Sequence, residues 1–147
     1  MVDDVFRQDC PARVVLDHVT RRWGVLVLTA LNSSDLRFYE LRDRIEGVSE
    51  KMLSQTLRTL VRDGLVLRTV EPTVPPSVTY GLTPLGRGVT ASLSALTGWI
   101  RDHAPAIIAA QRAYDAARDG AAAAEPANRS VITDGARSGS RGGRAGT

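Results

Sequence analysis

The chain has 147 residues, 43% of them hydrophobic, 24% charged and only 5% aromatic, with a formal net charge of +3. That is one domain's worth of sequence, and no stretch approaches the ~18 apolar residues that a membrane-spanning helix needs. The acidic start Met1-Val2-Asp3-Asp4 lacks the layout of a secretory signal, and a lone cysteine, Cys10, supports neither an internal disulfide framework nor a cysteine zinc site. Pro11 suits the first turn of a helix, where its missing N–H costs nothing. Val14, Val15, Leu16 and Val19 give that helix an apolar side that ends near Arg21-Arg22. Residues 23–31 are apolar almost all round and predict a short central helix. Asn32-Ser33-Ser34-Asp35 is a loop of turn formers. Phe38, Leu41 and Ile45 stand at i, i+3 and i+7, so 36–44 is expected to be a third helix, halted near Gly47.

The fourth helix carries the clearest signals. Ser49 is a good N-cap before a periodic run, and Gly64 follows the last turn as a stop. Residues 65–71 and 78–82 have strand composition and are joined by the proline-rich loop Pro72-Thr73-Val74-Pro75-Pro76-Ser77. Thr83-Pro84 then opens a long helix with Leu85, Val89, Leu93, Leu96, Trp99 and Ile100 on one stripe. Pro105 is expected to interrupt it, with a shorter Ala-rich helix continuing to about Arg118. Residues 120–147 hold almost no large apolar side chains and read as a disordered Gly/Ala/Ser/Arg tail. The fold class is therefore mainly α with one β-hairpin. Helices followed by a two-stranded ribbon make a winged helix-turn-helix, and strands confined to one hairpin argue against an α/β nucleotide-binding enzyme.

Basic charge is not plentiful enough to bind a polyanion in bulk. Eighteen of the nineteen basic residues are Arg, Lys51 being the sole Lys, and the tail alone accounts for +2 of the +3. Any recognition of nucleic acid must come from local arrangement. The fourth helix offers one. At about 100° per residue, Lys51, Ser54, Gln55, Arg58 and Arg62 fall within a sector of about 100°. Leu53, Leu57, Leu60 and Val61 occupy the other side. Arg and Lys bond guanine acceptors or phosphates, Gln pairs with adenine and Ser adapts to either. An ordinary solvated face is the plain alternative. Such faces usually mix acids with bases, however, and here Glu50 and Asp63 lie outside the sector. Ser49 and the first-turn N–H groups are placed to hold a phosphate, a role compatible with simple capping. On the hairpin, Arg68 and Thr73 are candidates for phosphates or the minor groove.

Several motifs in sequence order carry a family resemblance. They are Cys10-Pro11, Arg22-Trp23, Leu36-Arg37-Phe38-Tyr39-Glu40-Leu41-Arg42, Val48-Ser49-Glu50-Lys51-Met52-Leu53-Ser54-Gln55-Thr56-Leu57-Arg58 and Asp63-Gly64-Leu65-Val66. Val74-Pro75-Pro76-Ser77-Val78-Thr79-Tyr80-Gly81-Leu82-Thr83, followed by Leu85-Gly86, completes the set. Together they resemble the HxlR family of bacterial winged helix-turn-helix transcriptional regulators. The resemblance implies a cytoplasmic homodimer that binds a palindromic double-stranded DNA operator, more often as a repressor, with 51–62 as recognition helix and the hairpin as wing. It implies dimerisation through the first and last long helices and a domain over 10–108; the Ala-rich sequence beyond it reads as a helical extension over 109–119. It calls for no metal, cofactor or membrane. The DNA-contacting set is then Arg37, Ser49, Lys51, Ser54, Gln55, Arg58, Arg62, Arg68 and Thr73. Ser77 departs from the family pattern, standing where members often have Arg or Lys.

Some members of the family sense oxidants or electrophiles through a cysteine at the position of Cys10, so a small-molecule or oxidant effector is a further expected partner. Cys10 precedes a helix start, which favours a thiolate, and Arg7 and Arg13 are near in sequence, whereas Asp9 acts the other way. With no second cysteine in the chain, oxidation would bridge two protomers or capture a small thiol. A capping-position cysteine with no redox duty is the other reading. His18 and His103 suit interface or surface roles, and Trp23, Phe38, Tyr80 and Trp99 suit core or dimer packing. Two other classes compete. A winged-helix module for protein–protein contact without DNA readout would present an apolar or acidic recognition face, the reverse of this one. A thiol enzyme centred on Cys10 needs a base in reach, and His18 lies about 12 Å along the helix.

Overall fold

The structure, a computed structural model, describes residues 5–124. Two compact units divide the chain, one ending at Asp102 and the other starting at His103. In chain order the elements are α1 (Pro11–Thr20), α2 (Arg22–Leu31), β1 (Leu36–Arg37), α3 (Phe38–Arg44), α4 (Glu50–Arg62), β2 (Val66–Glu71), β3 (Ser77–Leu82) and α5 (Pro84–Ala124). Pro11 does open α1, and a single extended residue, Arg21, separates α1 from α2.

The core of the first unit follows from the apolar periodicities. Val27 and Leu28 of α2, Leu41 of α3 and Leu53, Leu57 and Leu60 of α4 are fully buried against one another, joined by Val66, Leu82 and Leu93. Burying a side chain of this size contributes about 1.5–3 kcal/mol, so α4 is fixed to the body chiefly through its three leucines. Gly64 stops α4 with φ +74°, a backbone conformation that an L side chain rarely adopts. Thr83 then locks the return of the chain. Its Oγ1 donates to the Gly64 carbonyl at 2.6 Å and accepts from the Gly86 N–H at 3.0 Å, capping α5.

Two expectations need correction. The segment 36–44 is not all helix. Leu36 and Arg37 are extended and pair with Tyr80 and Thr79, so the hairpin becomes a three-stranded antiparallel sheet of order β1-β3-β2. Half-buried Leu36 is better satisfied opposite Tyr80, and the Arg37 N–H donates to the Glu40 carboxylate at 2.8 Å instead of entering a helical ladder. Secondly, Pro105 lies inside α5 without ending it, and Gly120 does not stop it either. The hydrogen bond that Pro105 cannot make falls in an exposed stretch, and the Ala-rich sequence that follows continues the helix. The helical part of the second unit accordingly runs five residues, 120–124, into the segment read as tail. The remainder of that segment, from residue 125, lies outside the described residues.

Candidate nucleic-acid interface

Helix α4 presents its polar sector to solvent. Ser49 caps it, its Oγ accepting from the Met52 N–H at 3.1 Å. With the three leucines turned inward, Lys51, Gln55, Arg58 and Arg62 are exposed and Ser54 is half-buried. The acids that flank this sector are engaged elsewhere. Glu50 Oε1 accepts from Arg42 Nη1 of α3 at 2.7 Å, and Asp63 Oδ2 pairs with His18 Nδ1 of α1 at 2.7 Å. Bonds to Glu50 and Asp43 hold the Arg42 guanidinium above its ordinary pKa, so it stays a cation. Among the described residues, no salt bridge joins Lys51, Arg58 or Arg62 to an acid. Their charge is left for a ligand in solution.

Two depressions border the sector. Phe38 of α3 closes one beside Glu50, Lys51, Ser54 and Arg58. In the other, Arg68 of β2 and Tyr80 of β3, directly opposite each other in the sheet, face Ser54, Arg58 and Arg62. Three guanidiniums from two elements thus line one groove, and Ser54 and Arg58 belong to both depressions. Arg37 is exposed on β1 at the start of α3. Thr73 is at the hairpin tip, where its hydroxyl donates to the Pro75 carbonyl at 2.8 Å and shapes the turn. No described contact brings Thr73 or Arg37 to the groove. Ser77 Oγ is buried without a hydrogen-bond partner, and Val74 stands fully exposed at the tip.

Sequence reasoning did not find Arg42, Phe38 or Tyr80 as parts of the surface. The Arg42–Glu50 pair joins residues eight apart across a turn, a separation that no helical or strand period flags. Phe38 and Tyr80 pack against the core as expected of aromatics, and it is their exposed edges that border the grooves.

Cys10 is the N-cap residue of α1 and only 7% exposed. The arginines near it in sequence have other partners. Arg7 pairs with Asp9 at 3.2 Å, which holds the Asp9 carboxyl below its usual range, and Arg13 donates to the Phe6 carbonyl at 3.1 Å. His18, rather than serving Cys10, ties α1 to the end of α4 through Asp63. No helix of the described residues is long and apolar enough to cross a membrane, and no cluster of three or more potential metal ligands occurs among them.

An exposed, capped helix with an unneutralised cationic face, set against a small sheet, is the arrangement of winged-helix DNA readers. The HxlR-like helix-turn-helix family matches residues 18–107. The chain belongs to this family. It is 50% identical over 106 residues to the HTH-type transcriptional regulator YtfH of Escherichia coli (strain K12), covering 72% of this chain and 84% of that protein. The solved structure of the putative transcriptional regulator ytfH from Salmonella typhimurium is 48% identical, with a TM-score of 0.71 over 74% of this chain and 97% of that one. The redox regulator HypR in its oxidised form is 31% identical, with a TM-score of 0.59 over 63% of this chain and 96% of that one. The protein is thus an HxlR-type DNA-binding transcriptional regulator.

Proposed function

We propose that this HxlR-type regulator acts as a homodimer on a palindromic operator, as a repressor, with α4 in the major groove and β2–β3 as the wing. The observation that carries the reading is the α4 face itself, where Lys51, Arg58 and Arg62 are exposed while both flanking acids are bound by Arg42 and His18. Arg68 extends that charge onto the wing, Ser54 and Gln55 supply adaptable hydrogen bonds to base edges, and Ser49 with the first turn of α4 receives a phosphate. Arg37 and Thr73 take outer backbone contacts. A module built for protein–protein contact alone has no use for so much uncompensated charge.

Dimerisation is supported by apolar side chains in solvent. Val14, Val15 and Leu16 on α1 and Leu96, Trp99 and Ile100 on α5 are all exposed, Trp99 at 54%. A second copy covering them gives each a reason to be apolar. Footprinting the full chain on DNA upstream of its own gene tests the whole reading. Two protected half-sites about 34 Å apart are expected. Absence of protection, or a monomer by light scattering, overturns it.

Oxidant response through Cys10 is the second part of the proposal, supported by its place at the N-cap of α1, the helix proposed for pairing, and by the likeness to HypR. Two Cys10 thiols lose two protons and two electrons to an added oxidant and form one disulfide between protomers. Burial of the thiol means that α1 must loosen first. Diamide is therefore expected to release DNA from the native chain and to cross-link it on non-reducing gels. A Cys10→Ser protein that still responds overturns this part alone.

A further inference from the structure

A cavity of about 400 Å³ opens between α1, α2 and α4, within the range of small-ligand pockets. It adjoins the flank of α4 that carries Met52, Thr56 and Thr59, roughly opposite the flank that meets the sheet. Its apolar lining is Trp23, Met52 and Leu60, and its charged or titratable lining is His18, Arg21 and Arg58. Among the described residues, no carboxylate lines it. His18 Nδ1 is committed to Asp63, which leaves Nε2 for a ligand, and Arg21 pairs with Asp17 at the rim. The Arg22 guanidinium lies 5.5 Å from the centroid of the Trp23 ring. Lys51, Ser54 and Arg62 do not reach this cavity, but Gln55 and Arg58 belong both to its wall and to the exposed DNA-reading sector.

We propose that this cavity binds a small planar aromatic carboxylate and that the bound molecule takes Arg58 and Gln55 away from DNA. An indole beside thioether and leucine carbons accepts a flat ring by offset stacking and burial. Guanidinium groups clamp a carboxylate through paired charge-assisted bonds, a geometry that an ammonium does not offer. Arg58 has one guanidinium and two claimants, a ligand carboxylate and a DNA phosphate. Binding of one is then antagonistic to binding of the other, and reciprocally so. The second half of the proposal rests on the operator-binding reading above; the first half does not.

Calorimetry on the full chain without DNA tests the site, with 2-naphthoate as probe and the uncharged 2-naphthamide as control. One naphthoate per chain is expected, bound at least about tenfold more tightly than the amide because the charge-assisted bonds are lost with the charge. Thr59→Leu and Thr56→Met each fill the cavity from α4 without touching the proposed DNA contacts. Either variant, if folded by circular dichroism, is expected to lose naphthoate binding and keep operator affinity. Naphthoate at ten times its own Kd should raise the apparent operator Kd by about tenfold per subunit. No saturable heat, equal binding of the amide, or undiminished binding in both folded variants overturns the site. Saturable binding with unchanged operator affinity overturns the antagonism. Absence of any footprint fails the operator reading while leaving the calorimetric result standing.

Discussion

Arg68→Ala isolates the contribution of the wing. The residue is exposed on β2 and faces Arg58 and Arg62 across a groove, so removing it leaves the core untouched. Arg37, Lys51, Arg58, Arg62 and Arg68 give the proposed DNA surface of each protomer five cations without a salt bridge among the described residues, and a dimer ten. Each phosphate neutralised contributes about −0.9 to the slope of log affinity against log salt, so the native dimer should show a slope near −9. Losing one cation per protomer brings it to about −7.2. Between about 50 and 200 mM salt, native affinity should then fall about 3 × 10⁵-fold and that of the variant about 2 × 10⁴-fold. Fluorescence anisotropy on the footprinted duplex at four or five salt concentrations measures both slopes. A slope unchanged to within about 0.5, in a protein with the native melting curve, would falsify the assignment of Arg68 to a phosphate.

Other perturbations separate folding from binding. Leu57→Ala empties a fully buried site under α4 and should lower unfolding free energy by about 2–5 kcal/mol in urea titration; a loss below about 1 kcal/mol would mean that α4 is not seated as described. Ser49→Ala removes the cap on the Met52 N–H and should cost about 1 kcal/mol, read by the same titration, with no change if the cap is idle. Arg42→Ala releases the Glu50 carboxylate beside Lys51 and should weaken operator binding a few-fold, with Arg42→Ala/Glu50→Ala restoring it. A double variant as weak as the single one would show that Arg42 itself contacts DNA.

How far the sequence was legible depends on the range of the signal. Helix α4 was readable from cap to stop because its leucines repeat at the helical period and its ends carry Ser49 and Gly64. Strand β1 was not. Two residues show no period, and Phe38, Leu41 and Ile45 invite the helix to be extended backwards over them. Pro105 was over-read as a break, since a proline's local penalty of about 3 kcal/mol says nothing of the helix formers around it. At the site, the exposed cationic sector could be drawn from angles along one helix. Its release from Glu50 and Asp63 could not, because Arg42 and His18 arrive from α3 and α1, and only tertiary structure brings them there. The cavity at Trp23 and Met52 was invisible for the same reason, being walled by three helices.

The disposition of those acids explains how a chain of such modest net charge addresses a polyanion. Acids sit one residue outside α4's polar sector at each end, and either one would cancel a neighbouring base if left in place. Each is instead held by a side chain from another helix, Arg42 of α3 or His18 of α1, so forming the tertiary fold and exposing the charge are one event. An isolated α4 peptide would keep Glu50 and Asp63 free to compensate Lys51 and Arg62. The field at the surface is therefore a property of packing, and anything that shifts α1 or α3 against α4 changes it. That places Cys10 at the head of α1, and the cavity between α1, α2 and α4, where a small local event has most leverage on DNA. A substitution that loosens α1, such as Asp63→Asn at its tie to α4, should accordingly lower operator affinity more than the loss of one surface acid would raise it.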